Sequence, residues 1–144
     1  MSDSSTSTVV IEGPIAEVAA RLMDVANYPD WLASVKKVEV AESDSEGRAT
    51  KATLSIDAGV MKDRATLVYD YSAAPAEISF SLDEADLMTT MDGKYTLKAL
   101  DDDSTQVTYE LAVEVSMPIP RMMIAKTEKS TIDTALKELA AAFA

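Results

Sequence analysis

Residues 24 to 40 read Asp-Val-Ala-Asn-Tyr-Pro-Asp-Trp-Leu-Ala-Ser-Val-Lys-Lys-Val-Glu-Val, and this stretch decides the predicted fold. An amphipathic helical pattern runs into the tetrapeptide Tyr-Pro-Asp-Trp, which holds the only tryptophan, and an alternating strand pattern follows at once. Pro29 forces Tyr28 into an extended conformation and can itself open a second, short helix that carries Trp31 and Leu32. We therefore expect two small helices that meet at a corner directly before a strand.

The segment that precedes this corner predicts a strand followed by a helix. Residues 6–12 alternate between polar and apolar side chains, as a half-buried strand does. Gly13 ends the strand, and Pro14 suits the first turn of a helix. Helical spacing then connects Val18, Leu22 and Val25. The chain thus begins with one strand and two small helices.

The segment that follows the corner predicts six more strands and one long helix. Short polar turns separate alternating runs at residues 35–42, 48–57, 64–72, 77–83, 90–100 and 107–115. Gly93 inside its strand predicts a bend or the close approach of another element. A final helix spans residues 121–143, with an apolar face formed by Met122, Ala125, Ile132, Leu136, Leu139 and Phe143. We expect an α+β fold in which a curved seven-stranded antiparallel sheet wraps around this helix.

Composition narrows the chemistry that the chain can perform. With 144 residues, 47% of them hydrophobic, it has the size of one domain, which we place at residues 6–144 after a disordered tail at residues 1–5. Cysteine and histidine are absent, which excludes disulfides, thiolate nucleophiles, imidazole catalysis and most zinc or iron sites. Two acidic clusters, at residues 83–86 and 101–103, lack the ligand spacing of a calcium loop and suit turns. We expect no metal and no other cofactor.

Charge and hydropathy narrow the possible partners. A net charge of −12 argues against nucleic acid, because phosphate binding requires concentrated Lys and Arg. The N-terminus has neither a basic segment nor an apolar one, and no window approaches the ~20 apolar residues of a membrane span. We therefore expect a cytoplasmic protein without stable membrane insertion.

The corner and the strand that follows it also carry a family resemblance. Asn-Tyr-Pro-Asp-Trp at residues 27–31, Ser-Val-Lys-Lys-Val-Glu-Val at residues 34–40 and the order of elements resemble the START-like (SRPBCC) superfamily. Within it, the chain is similar to the polyketide cyclase/dehydrase and coenzyme Q-binding branch, and in particular to small actinobacterial members. The resemblance implies a helix-grip fold with a ligand held between the long helix and the concave face of the sheet.

Strand parity, combined with this resemblance, predicts which side chains line the cavity. The candidate ligand-binding residues are Leu54, Ile56, Leu67, Tyr69, Phe80, Leu82, Tyr95, Tyr109, Leu111 and Val113 from the sheet, with Met122, Ala125 and Ile132 from the helix. The alternative is that the same side chains simply fill a core.

Methionines suggest where such a cavity would open. Six of the eight lie in or beside the predicted loops and the start of the long helix. Val60-Met61 and Leu87-Met88 place apolar side chains at or near hairpin tips, where polar residues are expected. Flexible methionine suits a cavity mouth that admits varied apolar shapes. Alternatively, these loops bury one another, or they dock on a membrane or a protein partner. A Met88→Asp substitution separates the first two interpretations, because only a buried Met88 would make it costly.

Three functional hypotheses remain. The first is binding or transport of a hydrophobic small molecule, such as a lipid, a quinone, an isoprenoid or a polyketide-like compound. The second, implied by the resemblance, is a cyclase or dehydratase that uses cavity tyrosines, for which the chain offers Tyr69, Tyr71, Tyr95 and Tyr109. The third is a module that grips a protein partner through apolar loops. We assign no catalytic residue, because Arg64 and Glu110 fall on solvent faces; Glu128 could reach the cavity from the helix, but we expect it at a solvated helix position.

Overall fold

The computed structural model describes residues 4–57 and 62–143. Two α-helices, α1 (Ile15–Met23) and α2 (Arg121–Ala142), and one 3₁₀ helix (Val25–Asp30) accompany seven strands. The strands are β1 (Ser5–Ile11), β2 (Val35–Ser43), β3 (Ala49–Asp57), β4 (Lys62–Asp70), β5 (Glu77–Ala85), β6 (Met88–Asp101) and β7 (Ser104–Val115). This is the predicted order of one strand, two small helices, six strands and a long helix.

The seven strands form one sheet in the order β1-β7-β6-β5-β4-β3-β2, and every neighbouring pair is antiparallel. Successive hairpins build the sheet from β2 to β7, and β1 then pairs with β7, so that β1 and β2 become its edges. The antiparallel sheet and the C-terminal helix confirm the predicted α+β architecture.

Helix α2 lies over β1 and β7. Its buried positions are Ile124, Glu128, Ile132, Ala135, Leu136 and Leu139. The predicted apolar face is correct in the second half of the helix but wrong in the first, where Met122 is 82% exposed and Ala125 only half-buried. The buried face of the first half is a stripe of residues at intervals of four, namely Ile124, Glu128 and Ile132. Because Glu128 is charged, a search for apolar residues at helical spacing does not recognise this stripe as the buried face.

The corner between the small helices differs in two details from the prediction. Tyr28 lies inside the 3₁₀ helix instead of being extended, and Pro29 lies inside the same helix instead of opening a second one; Trp31 comes directly after it. Tyr28 sets this arrangement: its hydroxyl donates to the Leu22 carbonyl at the end of α1, and its carbonyl accepts the amides of Trp31 and Leu32. The Tyr28 and Trp31 rings meet edge to face, with centroids 5.5 Å apart. The tyrosine therefore anchors the corner.

The predicted close approach at Gly93 is confirmed. Gly93 pairs with Phe80 across β5 and β6, and a Cβ atom at position 93 would overlap the Phe80 ring. The glycine thus leaves the space in which this ring lies flat against its neighbouring strand.

Replacing Gly93 by alanine is expected to lower the free energy of unfolding by about 2 kcal/mol, because the new methyl group displaces the Phe80 ring from a packed position. Urea denaturation measures this change. In a Phe80→Leu background the same substitution should cost less than about 1 kcal/mol, because the flexible leucine can move aside. An equal cost in both backgrounds would contradict the proposed clash.

Candidate functional site

An internal cavity lies beneath α2, between the 3₁₀ helix and the sheet, and has a volume of about 50 Å³. Every strand from β2 to β7 contributes to its wall, and α2 closes it with Thr131 and Ala135. The other lining residues are Tyr28, Leu32, Ser34, Val35, Leu54, Ile56, Leu67, Tyr69, Phe80, Met91, Tyr95 and Tyr109. The elements that define the fold therefore converge on one small space.

Seven of the predicted ligand-binding residues stand in this wall: Leu54, Ile56, Leu67, Tyr69, Phe80, Tyr95 and Tyr109. The other six lie elsewhere. Leu111, Val113 and Ile132 are buried in the core, Leu82 and Ala125 are half-buried, and Met122 is exposed. The ligand-binding role of all thirteen remains a prediction.

Seven residues of the wall were not predicted from the sequence, namely Tyr28, Leu32, Ser34, Val35, Met91, Thr131 and Ala135. Met91 carried a usable signal, because it shares the strand parity of Tyr95. Ala135 lies one turn beyond Ile132 on α2 and could have been predicted from this helical spacing. Tyr28 and Leu32 carried no such signal in the sequence, because their place in the wall depends on how the 3₁₀ helix packs over the sheet.

Stacked aromatic rings form the rigid part of the wall. Tyr95 and Tyr109 stack with their centroids 4.1 Å apart. Phe80 contacts Tyr69 at 5.7 Å and Tyr109 at 6.5 Å between centroids. Such contacts hold ring orientations that isolated aliphatic side chains would not hold. One side of the cavity is thus preformed.

The hydroxyl groups of the cavity tyrosines differ in how they are engaged. Tyr28 donates to the Leu22 carbonyl, whereas Tyr95 and Tyr109 lie close enough to influence each other's pKa. Over residues 4–57 and 62–143, the Tyr69 hydroxyl makes no hydrogen bond. The Tyr69 hydroxyl is therefore available to a ligand, and Ser34 and Thr131 add two further hydroxyl-bearing side chains to the wall.

Burial raises the pKa of Tyr28, Tyr69, Tyr95 and Tyr109, in each case mainly because desolvation penalises the phenolate. These tyrosines stay neutral at physiological pH. They can donate a hydrogen bond to a carbonyl oxygen, but they cannot serve as a general base.

Glu128 is the acidic residue for which the sequence-based expectation is wrong. Its side chain is fully buried instead of solvated. The carboxylate accepts the Val113 amide at 2.7 Å and the Ser5 hydroxyl at 3.0 Å, and it pairs with Arg121 at 3.2 Å. The carboxylate thus joins α2 to β7 and β1, and Glu128 is not among the residues that line the cavity.

A second buried carboxylate organises the turn between β5 and β6. Asp63 accepts the backbone amides of Asp86, Leu87 and Met88, the last at 2.9 Å. Met88 is only 5% exposed and packs in the core, whereas Leu87 is half-buried. Val60 and Met61 lie outside the described residues. A mouth at these two tips stays a prediction, and the cavity wall includes neither Leu87 nor Met88.

The cavity adjoins the surface at a different place. A hollow of about 320 Å³ shares Ser34 and Thr131 with the cavity wall. Its remaining lining residues are Ala33, Lys36, Asp57, Ser130 and Thr134. The start of β2 and the middle of α2 therefore separate an apolar interior from a polar exterior.

Within the described ranges, no three acidic side chains come together in a way that could hold a metal ion. Neither helix in that part of the chain combines the length and the hydrophobicity that crossing a membrane requires.

Comparison with known proteins places this geometry among related folds. Residues 11–140 match the family model described as polyketide cyclase / dehydrase and lipid transport. No functionally curated protein matches the chain in sequence.

Solved structures show the same fold at low sequence identity. A START superfamily protein from Mycobacterium smegmatis superposes with a TM-score of 0.91 at 22% identity, over 97% of this chain and 96% of that one. The ZhuI aromatase/cyclase from Streptomyces sp. R1128 superposes with a TM-score of 0.82 at 19% identity, over 98% and 93% of the two chains. The di-domain aromatase/cyclase BexL matches 98% of this chain with 45% of its own length, at 17% identity and a TM-score of 0.70.

Proposed function

Since this chain belongs to the polyketide cyclase / dehydrase and lipid transport family, we propose that it binds a hydrophobic small molecule in the cavity beneath α2. The ligand classes that suit this cavity are lipids, quinones, isoprenoids and polyketide-like compounds. The protein acts as a carrier or a binding module for such a molecule.

The chemistry of the cavity wall is the observation that carries this proposal. The described wall contains no charged side chain, and its polar groups are hydroxyls of Tyr, Ser and Thr. Moving an apolar group from water into such a wall is favourable. Moving a charged group there is costly, because the group loses its hydration and the wall offers no charge to compensate for it. The wall therefore favours an uncharged, largely apolar ligand segment.

The size of the cavity adds a mechanical requirement. Small-molecule pockets usually measure ~300–1,000 Å³, whereas this one measures about 50 Å³. Binding must therefore enlarge the cavity, and the stacked rings of Tyr95 and Tyr109 cannot easily move to make this space. We place the movement at α2, whose first half is attached by Glu128 and Arg121 and carries exposed methionines on its outer side.

Filling the cavity from α2 tests the proposal. Ala135 is 4% exposed and lines the cavity, so that Ala135→Phe places a ring in the ligand's space. We expect the affinity for the neutral fluorescent probe 1-aminoanthracene to fall at least tenfold, with a loss of about 1–3 kcal/mol in stability. Probe fluorescence measures binding, and circular dichroism verifies the fold.

Ala142→Phe is the matched control, because Ala142 is exposed near the end of the same helix. It should leave probe affinity unchanged. Native mass spectrometry and lipid extraction of the purified protein supply an independent measurement. Absence of any bound molecule, together with no binding of the probe, would refute the proposal.

A cyclase or dehydratase activity is the alternative, and the available Tyr69 hydroxyl favours it. A neutral tyrosine could polarise a ketone by donating a hydrogen bond to its oxygen. The described wall offers no carboxylate or amine to remove the neighbouring proton. Incubation with a poly-β-ketone mimic decides the matter: a cyclised product that Tyr69→Phe abolishes supports an enzyme, and unchanged substrate supports a carrier.

A further inference from the structure

The hollow outside the cavity is rich in hydrogen-bond donors. Ser34, Ser130, Thr131 and Thr134, which all carry hydroxyl groups, line it together with Lys36. Its one acidic residue, Asp57, is already paired with Lys62 at 3.9 Å. A group that accepts hydrogen bonds and carries negative charge suits such a lining.

Lys36 supplies the charge in this hollow. Within the described residues its ammonium group makes no ion pair and no hydrogen bond, whereas the neighbouring Lys37 pairs with Glu39 at 3.1 Å. The chain as a whole carries a net charge of −12. An anion would be repelled over most of this surface and attracted beside an uncommitted lysine.

The interior and the hollow make opposite demands on a ligand. Among its described residues the cavity wall has no cation to balance a buried anion, and an unpaired carboxylate there would be strongly destabilised. Among the described residues that line the hollow, four carry hydroxyl groups, one is a lysine, and Ala33 is the only one with a wholly apolar side chain. Ser34 and Thr131 belong to both linings and therefore lie between the two spaces.

From this arrangement we infer that the ligand is an amphipathic carboxylic acid, such as a fatty or aromatic acid. Its apolar body passes between Ser34 and Thr131 into the cavity, and its carboxylate stays in the hollow beside Lys36. The inference rests on the proposed function and adds the chemical class and the orientation of the ligand.

A matched pair of probes tests this inference. cis-Parinaric acid and its methyl ester share one fluorescent chain and differ only in the charged group. We expect the protein to bind the acid about tenfold more tightly than the ester, because a charge-assisted contact to Lys36 is lost in the ester. Lys36→Gln should remove this preference and leave the affinity for the ester unchanged. Lys98→Gln is the control, because Lys98 is an exposed lysine on β6 and is not among the residues that line the hollow.

The possible failures are distinguishable. If neither probe binds the unmodified protein, the proposed function itself fails. If acid and ester bind equally well, hydrophobic binding stands and the carboxylate inference is overturned. If Lys36→Gln and Lys98→Gln weaken binding of the acid equally, the effect is general electrostatics, and Lys36 loses its assigned role.

Discussion

Replacing Met88 by aspartate is expected to remove most of the stability of the fold, by about 4 kcal/mol or more. Met88 is 5% exposed and belongs to the core, so that the substitution buries an unpaired carboxylate in place of an apolar side chain. The backbone amide of the same residue donates to Asp63 at 2.9 Å, which brings the new charge close to an existing one. Desolvation and like-charge repulsion therefore act together.

Urea denaturation and thermal melting measure this effect, with two controls. Met88→Leu conserves most of the volume and should cost less than about 1.5 kcal/mol. Leu100→Asp places the same charge at a side chain that is 48% exposed and should change little. An unchanged melting temperature for Met88→Asp would show instead that the tip is accessible, as a cavity mouth requires.

Replacing Glu128 by leucine is expected to destabilise the protein by about 3 kcal/mol. The substitution leaves the buried amide of Val113 without its acceptor and takes the counter-charge away from Arg121. The guanidinium is 39% exposed, so water compensates part of its loss. Most of the effect therefore comes from the stranded amide and from the missing link between α2 and β7.

Glu128→Gln separates the two contributions. Its amide oxygen can still accept the Val113 hydrogen bond, while the charge is lost, so that we expect a smaller cost of about 1 kcal/mol. Glu114→Gln, at an exposed position of β7, is the control. Equal stability of Glu128→Leu and the unmodified protein would refute the structural role of this carboxylate.

The fold was largely predictable because local patterns and tertiary packing agree in it. Alternation along the strands has a period of two, so that side chains such as Leu67 and Tyr69 could be assigned to one face before the strands were paired. The same parity leads to seven members of the cavity wall. Gly93 indicated a close approach because glycine weakens a central strand and is expected there only where a neighbouring group needs the space of a side chain. That group is the Phe80 ring.

The remaining features depend on contacts between distant residues. The sequence predicts a solvated Glu128 because a charged residue is normally exposed. Its carboxylate is buried because it accepts hydrogen bonds from the Val113 amide and the Ser5 hydroxyl, which belong to two strands distant in sequence. Asp63 gives no local sign that it will bind three amides of another turn. The cavity volume depends on how deeply α2 settles on the sheet, which small differences in packing decide.

The pairing of β1 with β7 has a consequence for synthesis on the ribosome. Ser5 leaves the exit tunnel early but must wait for Leu111 before its strand has a neighbour. At roughly 5–20 residues per second, this wait lasts on the order of 10 s. The nascent chain can meanwhile form the meander from β2 onward, but the cavity is not closed until α2 has also left the tunnel. The cavity is therefore formed later than the sheet that supplies most of its wall.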